Sequence, residues 1–500
     1  MLRFRSGMRN HLGRARAAKE SPFDRLPPRV RRWIDYEQTV NERFFNDKAI
    51  LAFDERSNTV KKKFYPEQRP VWEQELAWLP NNIVRRYGWV SEALEAWGLR
   101  PRKNCTPLFL HPQTPAPHRR LAEKYGRQGI GDSCVTPTAS YRSVLAWNER
   151  GETRPVLMKL SIGAIIATTR RSLRENQVAR AVLISSLFET IPATVRNRLG
   201  FDWFAEPCGM VETKSRHGWL LRRWPHFFWK ARAGSLIPTF SLISGSGNKI
   251  PLLIRLARRS RKSPEKFLLD AIVHPFVRVM AYLLFEEGLQ YEGHAQNVLW
   301  EIDQNENLTG RMILRDLADT SVNLAFRVAR EKTIPKFPDG FVTKGARFPV
   351  AGNAADYRTN ARRWRVLRGF DTVERYGLLN FLWVLNQTMA RFISGYDSKF
   401  VEQRYLEIWQ QAAIDSMRIR PLFRKKPGGI ATDEAIAYFL SQVDWAGLGA
   451  RRARLPASAE ALLIEGRMRK RRGAVYYKLD CPWGVLFFCD NRPGFFRPAF

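Results

Sequence analysis

The sequence has 500 residues, of which 44% are hydrophobic and 12% aromatic. Apolar content of this order over such a length can bury cores for roughly two to four domains, which excludes wholesale disorder. Lysine and arginine number 83 against 48 acidic residues, a net charge of +35. This excess favours polyanionic partners such as nucleic acid, membrane surfaces or phosphates, although a basic bias of the whole proteome would produce the same balance.

The cysteines indicate the compartment and the apolar runs argue against a membrane protein. The chain has five cysteines, without the paired spacing of a zinc site or a disulfide framework. This pattern favours a reducing cytoplasm. The longest apolar run is broken by His274 and Arg278, so we predict no transmembrane segment. The first 19 residues are basic but contain no apolar core of a secretory signal.

The N-terminal part reads as helical. Apolar residues recur at three-to-four spacing from about Arg31 to Trp97, as at Trp72, Leu76 and Leu79. The proline-rich residues 101–118 then predict an extended connector and a domain boundary.

The pattern of apolar residues changes from helical to β-like at about residue 134. Two β-like runs, SYRSVLAW and RPVLMKLSIGAIIA, flank a hairpin-like turn at Asn148. A helix is predicted from near Ser172 to Phe188, and residues 201–245 are ambiguous between strands and loops.

The second half begins with a strong helix signal. Ser263 as N-cap, Pro264 in the first position and Glu265 in the first turn predict a helix that ends near Glu287, before Gly288. A strand, a polar turn and a second strand follow in YEGHAQNVLWEI, DQNENLTG and RMILRD. Residues 370–465 are predicted mostly helical, and the aromatic C-terminus is predicted to form a hairpin or loop.

Familiar motifs and nucleic-acid modules are missing. SGSGNK at 244–249 lacks the spacing of a P-loop, and no HExxH, GxSxG or GxGxxG occurs. The basic clusters at 258–262, 423–426 and 467–472 are more typical of solvated faces than of phosphate contacts. No finger or aromatic RNA-binding signature accompanies them, so no specific nucleic acid is expected.

Three segments set polar residues among β-like apolar ones. Their candidate residues are Ser140 and Arg142; Lys159, Thr169 and Arg171; and Glu292, His294, Gln296, Asn297 and Asp316. The three cations Arg142, Lys159 and Arg171 could hold a triphosphate by charge-assisted hydrogen bonds. The Asp316 carboxylate, with amide oxygens nearby, is typical of a Mg²⁺ site. H-x-x-N, a hairpin and an aspartate are also arranged as in protein kinases, although the kinase HRD and DFG sequences are absent.

Simpler interpretations remain open for the same residues. Ser140 and Arg142 would share one face of a strand if the segment is extended. That face could equally be exposed and carry no function. Lys159 and Arg171 could be surface charges, Glu292 a salt-bridge partner, and His294 a structural histidine.

The chain resembles the siderophore synthetases that work independently of nonribosomal peptide synthetases, the aerobactin-synthetase (IucA/IucC-like) family. The similar stretches are LHPQTPAPH, TPTASYRSV, LMKLSIGAIIATTRRSL, EGHAQNVL and ILRDLAD, which occur in the family's order over about residues 106–320. The resemblance implies an α+β fold shaped like a cupped hand of thumb, fingers and a kinase-like palm, with a mostly helical C-terminal half. By this comparison, 1–105 is a short helical thumb, 106–262 a β-rich nucleotide-binding fingers region, and 263–500 the palm.

The same resemblance implies chemistry. Family members use ATP and Mg²⁺ to adenylate a carboxylate, typically of citrate, and an amine or alcohol then displaces AMP. By position, His294, Arg171 and Asn297 would be catalytic residues. Ser140, Arg142, Lys159, Thr169 and Gln296 would bind ATP, and Asp316 and Glu292 would hold the metal. A cytoplasmic enzyme, and a homodimer as in many relatives, are expected. Two alternatives remain, a basic nucleic-acid- or membrane-surface-binding protein on the same scaffold and a kinase-like phosphotransferase.

Overall fold

The computed structural model describes residues 21–39, 61–150, 154–166, 169–215, 218–230, 234–244, 250–323, 327, 332, 350–351, 373, 377–378 and 381–418, together with four C-terminal strands. It is a mixed α and β structure with several sheets. Its helices are α1 Pro28–Thr39, α2 Ser91–Ala96, α3 Ala116–Lys124, α4 Glu175–Glu189, α5 Ala193–Leu199, α6 Thr239–Leu242, α7 Leu252–Arg259, α8 Pro264–Leu268, α9 His274–Phe285, α10 Trp383–Phe392 and α11 Ser398–Arg418.

The strands of the main body lie between these helices, singly or in runs. They are β1 Glu75–Pro80, β2 Val84–Gly88, β3 Cys105–Leu110, β4 Gln128–Gly129, β5 Ser133–Pro137, β6 Ser143–Asn148, β7 Val156–Leu160, β8 Ile165–Ile166, β9 Thr169–Arg170, β10 Phe201–Trp203, β11 Ala205–Glu212, β12 Gly218–Arg223, β13 Ser235–Pro238, β14 Leu289–Gln290, β15 Val298–Ile302, β16 Leu308–Leu314, β17 Ser321–Asn323 and β18 Val350–Ala351.

Two sheets frame the region of interest. The larger has six strands in the order β2-β11-β12-β7-β6-β5, and the smaller has four in the order β10-β16-β15-β13. The predicted hairpins are confirmed, because β6 pairs antiparallel with β7 and β15 with β16. The segment 201–245, which the sequence left ambiguous, contributes four strands to these two sheets.

The predicted helical character of Arg31 to Trp97 is confirmed in α1 and in the short α2 but is wrong for the described residues between them that form β1 and β2. Leu76 and Leu79 lie in strand β1, which pairs antiparallel with β3, and β2 joins the six-stranded sheet. The strand β1 is almost entirely buried, so apolar residues line both of its faces and imitate a helical spacing.

The proline-rich segment 101–118 is not an extended connector. It contains the buried strand β3 and the start of α3, and Pro107 sits inside β3. Strand pairing therefore crosses the predicted boundary at 105/106, and the four-stranded sheet combines strands from both sides of 262/263. The three-region division stays a prediction.

The long predicted helix is confirmed over 264–285, with its Ser263 N-cap. The Ser263 side chain accepts the Lys266 N–H at 3.2 Å. Between α8 and α9 the helix makes a π-helical turn, Leu269–Val273, just before Pro275. A proline lacks the N–H needed for a regular helical bond, and the wider turn accommodates it.

That helix is long and apolar enough to cross a membrane, which differs from our expectation that no run comes close. However, 67% of its most apolar window is buried inside the structure. It belongs to the largest hydrophobic core, where Phe276 stacks on Phe381 with ring centroids 4.0 Å apart. Two further helices, 175–189 and 193–199, are bent relative to each other and together are also long and apolar enough to span a membrane.

The C-terminal predictions fall partly on described residues. α10 and α11 are helical as expected, whereas 419–467 lies outside the described residues. Near the end, β19 Met468–Arg471, β20 Ala474–Cys481, β21 Gly484–Arg492 and β22 Phe495–Pro498 form a four-stranded antiparallel sheet. The pairing of β20 with β21 confirms the predicted hairpin.

Candidate active site

The two sheets bring charged side chains together. In the six-stranded sheet, Ser143 of β6 is paired with Lys159 of β7, which is paired in turn with Leu220 of β12. Arg222 lies two residues after Leu220 and therefore on the same face. The carboxylate of Asp316 reaches this face from the end of β16 in the four-stranded sheet, where it contacts both Lys159 and Arg222.

These ion pairs are buried. Lys159 and Arg222 are each only 4% exposed, and Asp316 is 8% exposed. Arg222 also donates through Nε to Glu206 Oε1 at 2.9 Å and through Nη1 to Ser143 Oγ at 3.2 Å. The interpretation of Lys159 as a surface charge is therefore wrong.

The turn between β5 and β6 supplies the next cation. Residues 138–142 are not extended, because Tyr141 has a left-handed φ of 61° and the Arg142 N–H bonds the Ser140 carbonyl at 2.7 Å. The Ser140 Oγ accepts the Ser143 N–H at 3.1 Å. Arg142 is half-buried and donates to the carbonyl of Arg171 at 3.3 Å. Two predicted phosphate-binding segments, 140–142 and 159–171, thus meet.

We call Arg142, Lys159, Arg171 and Arg222 the cation cluster. Burial lowers the pKa of Arg142 to about 10, and repulsion from Arg171 adds to the effect. Burial also lowers the pKa of Lys159, whose neighbours Arg142 and Arg222 oppose its charge while Asp316 supports it. The pKa of Arg222 is raised although burial opposes this, because Asp316 and Glu206 stabilise its charge.

The cation cluster gathers four positive side chains in one place. They interact with carboxylates that include those of Asp316, Glu206 and Asp319. Bringing like charges together out of water is costly unless an anion offsets them. The arrangement is therefore suited to binding a multiply charged anion such as a polyphosphate.

The third predicted segment lies beside Asp316. Val298 is paired with Leu314, so the residues before β15 and after β16 are neighbours at one end of the hairpin. The Arg315 N–H donates to the Asn297 carbonyl at 3.1 Å, and Arg315 Nε donates to the Gln296 carbonyl at 2.8 Å.

The side chains of this segment are oriented by local bonds. His294 is 7% exposed, and its Nδ1 accepts the Gln296 N–H at 3.2 Å. In a neutral imidazole the proton must then sit on Nε2, which makes Nε2 a donor. Asn297 Nδ2 donates to the Glu292 carbonyl at 3.4 Å. Glu292 is half-buried.

Thr169 lies in strand β9, which pairs with β8, and its side chain is outside the described residues. Of the predicted metal residues, Asp316 is already in contact with two cations. Within the described ranges, no group of three His, Cys, Asp or Glu side chains is placed to hold a metal. A single carboxylate is nevertheless enough for Mg²⁺ that arrives bound to phosphates.

Sequence reasoning missed Arg222 and Glu206. Both lie in the ambiguous segment 201–245, and each is a charged residue in a mostly apolar, mostly buried strand, in AEPCGMVE and GWLLRR. A buried charge is rarely tolerated without a partner. Had these two strands been recognised from sequence, their charged residues would have been candidates for the site.

Comparison with solved structures identifies the fold. The ATP-bound aerobactin synthetase IucA of Klebsiella pneumoniae superimposes with a TM-score of 0.56 at 13% identity, over 77% of this chain and 69% of that one. Aerobactin synthetase IucC of the same organism gives a TM-score of 0.51 at 16% identity, over 75% and 70%. The petrobactin biosynthesis protein AsbB of Bacillus anthracis gives 0.52 at 13% identity, over 71% and 62%.

The chain has the fold of siderophore synthetases. It spans 62% of the length of AsbB. No protein-family model and no curated protein sequence matches the chain. The likeness is thus one of structure.

Proposed function

We propose that this protein is an ATP-dependent siderophore synthetase that adenylates a small polycarboxylate, citrate or a similar acid, and condenses it with an amine or an alcohol. The cation cluster carries the proposal, because it places four positive side chains, two of them buried, together in a fold shared with an ATP-bound synthetase. Both substrates of the first step, ATP and a polycarboxylate, are anions.

The first step joins two negatively charged molecules. A carboxylate oxygen attacks the α-phosphorus of ATP, the bond to the pyrophosphate oxygen breaks, and an acyl-adenylate and pyrophosphate result. Fixed cations offset the repulsion between the reactants and stabilise the charge that develops on the leaving group. We assign Lys159, Arg142 and Ser140, with Thr169 and Gln296, to ATP, and Arg171 to the junction of phosphate and carboxylate.

Magnesium enters this proposal as part of the MgATP substrate. Asp316 is the carboxylate proposed to contact it, with Glu292 as the second. When bound, the ion neutralises charge on the phosphates. Within the protein, the contacts of Asp316 with Lys159 and Arg222 keep both cations at the phosphate-binding face.

The second step is attack of the amine or alcohol on the acyl carbon, which releases AMP while the nucleophile gives up its proton to solvent. His294 carries its proton on Nε2 when neutral, because Nδ1 accepts the Gln296 N–H. We therefore assign His294 to donation toward the acyl oxygen rather than to proton abstraction. Asn297 is assigned to the same junction.

The test is release of AMP and pyrophosphate from MgATP over a panel of acids, with and without polyamines, hydroxylated diamines, amino acids and amino alcohols. Acid-dependent AMP formation is expected, and it should fall at least about 100-fold in Arg171→Ala and Asp316→Ala. Arg259→Ala, a change at an exposed arginine of α7, should leave the rate unchanged. Both test variants and the Arg259→Ala control should keep the wild-type circular dichroism spectrum.

Other outcomes would identify a different protein. Formation of ADP would establish a phosphotransferase. No turnover and no ATP binding by folded protein would refute the synthetase and favour the basic binding protein, whose 467–472 cluster should then give strongly salt-dependent binding to polyanions. The side chains of that cluster lie outside the described residues. The cytoplasmic location and the homodimer stay predictions.

A further inference from the structure

The last turn of α1 reaches the candidate site from a distant part of the sequence. Glu37 and Gln38 both have an exposed fraction of 0%. Gln38 Nε2 donates to Thr136 Oγ1 at 2.7 Å and to the Pro137 carbonyl at 3.0 Å. These two acceptors immediately precede the turn at 138–142 that carries Ser140 and Arg142, so α1 is tied to that turn.

Glu37 makes the more far-reaching contacts. One carboxylate oxygen accepts a hydrogen bond from Arg315 Nη1, and the other accepts the Ala139 N–H at 3.3 Å. Arg315 in turn donates through Nε to the Gln296 carbonyl. A single carboxylate thus connects the turn before Ser140, the residue before Asp316 and the segment of His294.

The chemistry of this contact is costly for a merely structural role. A fully buried carboxylate and a buried guanidinium gain little stability over apolar side chains of similar size. What the pair does supply is fixed direction, because a guanidinium and a carboxylate bond in defined geometry. The segments it joins belong to the first and the third of the three polar segments selected from the sequence.

We propose that Glu37 is a positioning residue, which holds the 138–142 turn and the 294–297 segment in register with Asp316. The proposal rests on the proposed function for its catalytic consequence, because these segments are the ones assigned to ATP and to the acyl group. The placement itself is independent of that assignment and can be measured separately.

The experiment compares three variants of the full chain by hydrogen exchange and by ATP binding. Glu37→Gln removes the charge and keeps the size. Glu37→Asp keeps the charge but shortens the reach, and serves also if Glu37→Gln fails to fold. Glu301→Gln is the matched control, because Glu301 is also buried, at 9% exposed, and lies at the far end of the same hairpin. Its Oε2 accepts a hydrogen bond from Thr309 Oγ1 at 2.7 Å and lies 3.5 Å from Arg311 Nε.

The expected result is local. Amides of 138–142 and 294–297 should exchange at least about 10-fold faster in Glu37→Gln, whereas those of the six-stranded sheet keep their protection. ATP should bind about 10-fold more weakly, with Glu37→Asp intermediate and Glu301→Gln at the wild-type value in both measurements.

Two results would overturn the proposal. One is unchanged exchange at both segments in Glu37→Gln. The other is faster exchange across both sheets in Glu37→Gln, equal to that seen in Glu301→Gln. Such a result would show general destabilisation. If the wild type itself binds no ATP, the proposed function fails, yet the exchange comparison still decides whether Glu37 positions the segments.

Discussion

Acid should destabilise this protein through the buried histidine His111. His111 follows strand β3 and is 3% exposed, packed against Trp72 with ring centroids 5.1 Å apart. Its Nδ1 accepts the Gln113 N–H at 3.0 Å, and among the described residues Nε2 has no hydrogen-bond partner. Protonating the ring would break the bond to Gln113 and leave a charge without solvation. Burial accordingly lowers the pKa of His111 to about 3.

The sign and size of the effect follow from the two pKa values. The unfolded chain takes up the proton near the ordinary value of 6.5 and the folded chain only near about 3, so stability is present above 6.5 and is lost as the pH falls toward 3. The two pKa values differ by about 3.5, and each pKa unit is worth about 1.36 kcal/mol. Full protonation of His111 therefore lowers the free energy of unfolding by about 5 kcal/mol. At pH 4 about 3 kcal/mol of this should already be lost.

The assay is chemical denaturation of the wild type and His111→Asn at pH 7 and pH 4. The asparagine keeps an acceptor for the Gln113 N–H and cannot titrate in this range. Carboxylates and other histidines titrate in both proteins, so their contributions cancel in the difference. The free energy of unfolding of the wild type, relative to the variant, should fall by about 3 kcal/mol between pH 7 and pH 4. The same difference at both pH values would refute a histidine held neutral by the fold.

Three further outcomes follow from contacts described above. Asp316→Asn removes the carboxylate that contacts the buried Lys159 and leaves Arg222 with Glu206, so we expect a loss of about 3–5 kcal/mol in thermal or denaturant unfolding and a loss of AMP formation; an active variant of wild-type stability would contradict this. Ser263→Ala removes the N-cap of the long helix and should cost about 1 kcal/mol of stability while leaving ATP binding unchanged; no change in the denaturation midpoint would show that the cap is unimportant. Phe276→Ala removes a stacked ring from the main core and should cost about 3–5 kcal/mol, whereas Phe276→Leu should cost clearly less; equal losses would mean that the site does not retain a cavity.

Some elements were predictable because their signals are local. The helix over 264–285 is indicated by a serine cap followed by a proline and an acidic residue. The β15–β16 hairpin is indicated by a polar turn between two apolar runs. The strands β1 and β3 were misread because both are buried on two faces, and burial of that kind depends on what packs against them rather than on their own residues.

The site divides in the same way. Lys159 and Asp316 could be selected one by one from sequence, but their contact joins residues 157 positions apart, and no local pattern indicates it. Arg222 and Glu37 were not selected, because their importance comes entirely from long-range partners. A sequence shows which side chains are chemically capable, whereas the pairing of sheets determines which of them meet.

The backbone at the site carries a cost of its own. Tyr141, between Ser140 and Arg142, and Asp316 both adopt left-handed φ angles, 61° and 62°. For residues with a side chain such a conformation costs of the order of 1 kcal/mol, which glycine avoids. Glycine at 316 would avoid this cost, but it would remove the carboxylate that joins the two sheets through Lys159 and Arg222. That loss of about 3–5 kcal/mol is the larger of the two, so thermostability and activity make the same demand on this residue. A library screened for heat resistance alone should therefore still recover aspartate there.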